Sequence, residues 1–166
     1  MILGAVLVGG RSSRFGSDKG SALLGGNPLR DHARALLMPY CDEVAFVGGD
    51  AIPDLPEPHL GPLGGIAAAL DHAASRGFAS VVTIGCDMPR LPAGLLDQLI
   101  RRAPAYCVEA PILGHWPAAL GAQLLAHIAT APDRSVHRWA RTIGAIPVEA
   151  SEAIANVNTR EDLMAL

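Results

Sequence analysis

Residues 2–20 read ILGAVLVGGRSSRFGSDKG. The first seven, Ile2 to Val8, form a nearly continuous apolar run, as a strand covered on both faces does. Gly9 and Gly10 end it, and Arg11, Arg14 and Lys19 follow within ten residues. A buried strand that empties into a glycine turn crowded with cations predicts a ligand site. In open α/β sheets, ligands sit at the carboxyl ends of the strands, near a switch in strand order.

The rest of the chain extends this pattern. NPLRDHARALLM predicts a helix with Asn27 as cap and Pro28 at its first position, with Leu29, Ala33, Leu36 and Leu37 at helical spacing. EVAFVGG, residues 43–49, reads as the next strand, and the proline-rich DAIPDLPEPHLGP as a loop. LGGIAAALDHAASRG predicts a helix stopped by Gly77. SVVTIG is a buried strand from which CDMPRL emerges. PAGLLDQLIRR predicts a helix started by a proline, and AYCVEA a strand. GAQLLAHIATA and SVHRWARTIG read as helices and AIPVEA as extended chain. NTREDLMAL predicts a final helix capped by Thr159, with Asp162 three places on. Alternating strands and helices imply a mostly parallel sheet with helices on both faces. With no repeat or linker, residues 1–166 are read as one domain, an α/β three-layer sandwich.

Composition narrows the functions. Half of the 166 residues are hydrophobic and 17% are charged, with a formal net charge of −3, enough length for a sizeable core. Nucleic-acid binding needs a broad basic surface, so nucleic acid is not an expected partner and any positive site must be local. The opening apolar run lacks a basic leader and is too short to span a bilayer; a cytoplasmic protein with no membrane partner is expected. Cys41, Cys86 and Cys107 show no paired-ligand spacing and read as reduced thiols. Of the thirteen basic residues twelve are arginine, and Lys19 is the only lysine. A lone lysine inside a glycine-rich loop points to a specific task.

The opening loop fits neither common phosphate motif. A P-loop needs glycine, lysine and a hydroxyl residue in succession, and a dinucleotide fingerprint needs G-x-G-x-x-G; GSDKG and GGRSSRFG supply neither. Such a loop is either a plain structural turn or a cradle whose bare amides hold anionic oxygens. Arg11, Arg14 and Lys19 favour the cradle. In CDMP, Asp87 leaves the end of a buried strand and Pro89 holds Met88 extended. The carboxylate can cap a turn or bind Mg²⁺, a hard cation held by one or two carboxylates plus substrate phosphates. GPLGG, residues 61–65, opens a helix whose free N–H groups a ligand could approach, or is a tight turn. In NVNT, an extended segment puts Asn156 and Asn158 on one face, where amides serve a polar ligand or local turns.

Together and in this order, LVGGRSSRFGSDKG, GPLGG, CDMP and NVNT resemble the nucleotidyltransferases of molybdenum cofactor synthesis, in particular the molybdenum cofactor guanylyltransferase (MobA) family. The resemblance spans residues 3–166, is strongest in the first 90 and is looser from Tyr106 to Glu152. It implies a Rossmann-like fold and a Mg²⁺-dependent transfer of GMP from GTP to molybdopterin with release of pyrophosphate. The same resemblance implies nucleotide binding by Leu7, Val8, Gly9, Gly10, Lys19, Asp54, Gly61 and Asp87. Catalytic roles fall to Arg14, Lys19 and Asp87, with Asp87 as the metal ligand and Asn156 and Asn158 on the pterin side. GTP and molybdopterin are the implied substrates; molybdenum-insertion proteins and molybdoenzyme chaperones are the protein partners considered. Val8 and Gly64 stand where the family often has alanine. Val47 aligns with a nucleotide-contacting asparagine, whose hydrogen bond valine cannot make.

Two other readings stay open at this point. A related cytidylyltransferase carries a second alanine where Gly9 stands, and GTP against CTP binding separates it. A non-catalytic nucleotide sensor would bind GTP without releasing pyrophosphate; the presence of both Lys19 and Asp87 argues against it.

Overall fold

The computed structural model describes residues 1–9 and 18–166. Its strands are β1 (Ile2–Leu7), β2 (Leu23–Leu24), β3 (Asn27–Pro28), β4 (Glu43–Val47), β5 (Ser80–Gly85), β6 (Ala105–Cys107), β7 (Gly114–Pro117) and β8 (Ile146–Val148). The helices are α1 (Leu29–Leu37), α2 (Pro62–Ser75), α3 (Leu95–Ile100), α4 (Gly121–Thr130), α5 (Val136–Thr142) and α6 (Arg160–Met164). Six strands form one sheet in the order β4-β1-β5-β7-β6-β8, and β2 pairs with β3 in a separate hairpin. Only β7 runs against its neighbours, so the sheet is mostly parallel, as expected.

Strand alternation divides the core. Leu3, Ala5 and Leu7 of β1 pack with α2, α4 and α5, while Val6 packs on the opposite face with α1 and α3. Helix α2 is buried over most of its length, from Leu63 to Leu70, because alanine and glycine let it lie close against the sheet. Arg76 closes that helix, and Gly77, at φ 78°, takes the left-handed turn that follows. The chain runs from β1 through α1 to β4, then back across β1 through α2 to β5. That reversal opens a crevice over the end of β1.

Several elements differ from the sequence expectation. Asn27 is not the cap of α1: it pairs in the β2–β3 hairpin, and Pro28 is the capping residue without a side-chain bond. The tertiary pairing outweighs the local capping signal. The strand expected over 43–49 stops at Val47 because Gly48 and Gly49 both turn to positive φ. The expected strand at 105–110 stops at Cys107, and the helix expected from Pro92 begins at Leu95.

Strand β7 has no local signal in GHWP and is held by its neighbours. Trp116 Nε1 donates to Thr83 Oγ1 at 2.9 Å, and the Thr83 hydroxyl donates to the Ile112 carbonyl at 2.7 Å. Trp116 also packs against Trp139, ring centroids 4.8 Å apart. At the sheet edge, Ile146 N–H donates to Pro104 O and Val148 O accepts from Val108 N–H. Pro147 between them therefore faces outward without a donor, which blunts the edge against pairing. No helix among the described residues is long and apolar enough to cross a membrane.

Candidate functional site

The register puts three strand ends level: Leu7 lies opposite Val47 of β4 on one side and Gly85 of β5 on the other. Everything that leaves these strands at their carboxyl ends shares one rim. Val8 N–H donates to Val47 O at 2.8 Å, and Gly48 N–H donates to Ile52 O at 2.7 Å. The two glycine turns then touch backbone to backbone. A Cβ on Gly48 would stand 2.6 Å from Gly9 N and 2.8 Å from Gly9 Cα, and Gly48 itself sits at φ 96°. Gly48→Ala is therefore expected to destabilise the fold by about 1–3 kcal/mol, read as a lower urea midpoint with unchanged slope.

Around these turns lies a cleft of about 1090 Å³, lined by Leu7 of β1 with Val8 and Gly9 after it, by Phe46 and Val47 of β4 with Gly48 to Ala51 after them, and by Asp54, His59, Gly61 and Gly65 from the loop and helix beyond. Leu7, Val8, Gly9, Asp54 and Gly61 of the sequence expectation thus share one cavity. Asp54 is half-buried, and burial raises its carboxyl above the usual carboxylate range while the charge of His59 pulls it back down. Val47, with 1% of its surface exposed, offers only an apolar wall and its main chain. Gly10 and Arg14, also expected here, lie outside the described residues.

A second group forms beside the cleft. Asp18 accepts hydrogen bonds from Gly20 N–H at 3.1 Å and from the Ser21 hydroxyl at 2.7 Å, closing the short 3₁₀ turn that carries Lys19. Lys19 Nζ donates to Asn158 Oδ1 at 3.0 Å and lies 3.3 Å from Asp87 Oδ2. Side chains from the first loop, the middle of the chain and its last segment therefore meet at one ammonium group. The CDMP and NVNT segments are joined by their backbones: Val157 N–H donates to Asp87 O at 2.9 Å, and Arg90 bridges Ala155. Val157 is buried with Leu29, while Asn156 and Asn158 are exposed, the alternation expected of an extended segment. Thr159 and Asp162 form a complete capping box at the start of α6, and Asp162 also accepts from Asn158 N–H.

The chemistry open to this group follows from its atoms. Asp87 supplies a hard, partly exposed carboxylate oxygen. Mg²⁺ takes one or two carboxylates and fills its shell with phosphate and water oxygens, so Asp87 fits such an ion as its protein ligand. Cys86 is no nucleophile, because burial, and then the Asp87 charge, push its thiol up to about 12.

Sequence reasoning missed Arg30, Phe46, Gly48, Gly49, Asp50 and His59 on the cleft wall. One signal was present: VGG at 47–49 repeats VGG at 8–10, each after an apolar strand.

A model of the MobA-like NTP transferase domain matches residues 4–148. The chain is 36% identical to the molybdenum cofactor guanylyltransferase of Rhizobium leguminosarum bv. trifolii (strain WSM2304), over 98% of this chain and 90% of that one. It is 34% identical to the molybdenum cofactor guanylyltransferase of Rhodobacter capsulatus, over 98% and 93%. The fold matches the crystal structure of molybdopterin-guanine dinucleotide biosynthesis protein A from Archaeoglobus fulgidus with a TM-score of 0.76 at 23% identity, covering 99% and 96% of the two chains. It also matches 2-C-methyl-D-erythritol 4-phosphate cytidylyltransferase from Thermus thermophilus, with a TM-score of 0.70 at 13% identity over 97% and 95%. With a mostly parallel sheet, a glycine-walled cleft at its carboxyl rim and these matches over nearly its whole length, the chain belongs to the MobA-like NTP transferases, a family of nucleotidyltransferases.

Proposed function

We propose that this protein transfers GMP from GTP to molybdopterin in the cytoplasm, with Mg²⁺, and releases pyrophosphate. The observation that carries the reading is the meeting of Lys19, Asp87 and Asn158 beside a cleft walled by bare glycine backbone. The terminal phosphate oxygen of molybdopterin attacks the α-phosphorus of GTP. A new P–O bond forms while the α–β P–O bond breaks, and pyrophosphate leaves with the electron pair. The attacking phosphate is already ionised near neutral pH, so no general base is needed. Bringing two polyanions together in line is the main task, and positioned cations perform it.

Within this reading, Leu7, Val8, Gly9 and Gly10 offer main chain to the nucleotide, and Gly61 opens the rim for it. Lys19 and Arg14 stabilise charge on the leaving group. Asp87 would hold the Mg²⁺ ion, which supplies charge neutralisation at the phosphates. Asn156 and Asn158 face the pterin, so Asn158 links the acceptor side to Lys19. Proteins that insert molybdenum or chaperone molybdoenzymes would take the product onward.

Asp54 carries base selection in place of the hydrogen bond that Val47 cannot make. An ionised carboxylate accepts from the two adjacent N–H groups of guanine, and cytosine has no matching pair. Because folding raises the Asp54 carboxyl, it takes up its proton at a higher pH than an ordinary carboxylate. GTP affinity is therefore expected to fall on acidification through that raised value and to be fully present above it. Asp54→Asn should lose about tenfold or more in GTP affinity and lack this acid limb, measured by calorimetry from mildly acidic to neutral pH.

The direct test is pyrophosphate release with GTP, CTP or ATP, with and without molybdopterin. The reading expects release with GTP only when molybdopterin is present. Release with CTP in preference to GTP makes the protein a cytidylyltransferase, and tight GTP binding without any release makes it a sensor; either result overturns the proposal.

A further inference from the structure

Arg30, the second residue of α1, lines the cleft and also borders the Lys19 group. Its stem packs over Gly20, within the turn that carries Lys19: a Cβ added there would lie 3.7 Å from Arg30 Cβ and 3.8 Å from its Cδ. Its guanidinium lies over the Phe46 ring, 5.4 Å from the centroid, and both side chains line the cleft. Contact with an aromatic face can hold a guanidinium in place without using its N–H donors. Arg30 Nε is shielded from solvent and has no hydrogen-bond partner among the described residues. The ion pairs formed among those residues do not include it.

The charge of the cleft wall makes this position consequential. Asp18, Asp50 and Asp54 line the cleft as carboxylates, and Arg30 is the one Lys or Arg among its described lining residues. Among the described lining residues a polyanion entering there meets three carboxylates, and Arg30 is the one permanent side-chain cation that can receive it. One turn thus supports two cations that point apart, Lys19 towards Asp87 and Arg30 towards Phe46. We infer that Arg30 is a further binding residue for the polyphosphate of the nucleotide, gripping it from the β4 side while Lys19 holds the β5 side. This role rests on the nucleotide reading proposed above, and it assigns a contact that replaces nothing in that reading.

Calorimetry with GTP and with guanosine, in the presence of Mg²⁺, tests it on wild type, Arg30→Gln and Arg30→Lys. A charge-assisted hydrogen-bond pair lost to a neutral amide is expected to weaken GTP binding about ten- to hundredfold and to leave guanosine binding unchanged. Arg30→Lys keeps the stem and the charge, so it should fall between wild type and Arg30→Gln. Equal weakening of GTP and guanosine overturns the role, since Arg30 would then shape the cleft or contact the base. Unchanged GTP affinity in both variants also overturns it. A wild-type protein that binds GTP no tighter than guanosine rejects the nucleotide reading itself, and the Arg30 role with it.

Discussion

Lys19→Ala is expected to lower kcat by about 10²–10³-fold, the usual cost of removing one preorganised electrostatic contact from a reacting centre. The ammonium group is placed by three separate parts of the chain. The Asp18-capped turn carries it, and Asp87 and Asn158 hold its head at 3.3 Å and 3.0 Å. Such placement means the charge needs no reorganisation when the leaving pyrophosphate develops its own. The fold should survive the substitution. The Lys19–Asp87 pair is partly exposed, with side-chain accessibilities of 20% and 27%, and pairs open to solvent contribute only about 0–1 kcal/mol. A stopped-assay measurement of pyrophosphate release, paired with a melting curve, separates the two effects: kcat should collapse while the transition shifts by a few degrees at most. Near-normal turnover would remove Lys19 from the mechanism.

Asp87→Ala should cost a similar factor in kcat, about 10²–10³, and for a complementary reason. It removes the hard oxygen that suits Mg²⁺ and one of the two anchors of Lys19. The fold should survive this substitution as well. The Asp87 carbonyl, not its side chain, accepts the Val157 N–H bond at 2.9 Å, so the NVNT segment stays attached. Titrating Mg²⁺ into the variant should give a rate that rises only at much higher metal concentration than in wild type. A variant with wild-type rate and wild-type metal dependence contradicts the assignment.

The fold was legible where burial alone determines local structure. β1 and β5 are apolar runs because both faces of a central strand are covered, and α2 announces itself by its small apolar residues and the Gly77 stop. β7 was not legible, since GHWP has no alternation to read. Its place depends on a Trp116–Thr83 hydrogen bond and on Trp139, which lies 23 residues further along the chain. Asn27 misled because a capping residue and a hairpin residue look alike until the partner strand is known. For the site, the residue types were visible in their motifs, but their meeting was not. Lys19 reaches residues 68 and 139 positions away, and the level ends of β1 and β5 together with the Asp87–Val157 backbone bond bring them to one rim. Much of the cleft wall is glycine backbone and proline loop, which carries little chemical signature, so Arg30, Phe46 and His59 were hidden among ordinary helix, strand and loop residues.

The measurement that bears most directly on this account is a crystal structure with Mg²⁺ and a non-hydrolysable GTP analogue. The account predicts the triphosphate against Val8 and Gly9, with Lys19 and Asp87 at its reacting end and the base beside Asp54. A triphosphate bound away from Lys19 and Asp87, or a base outside the Asp54 cleft, would contradict it.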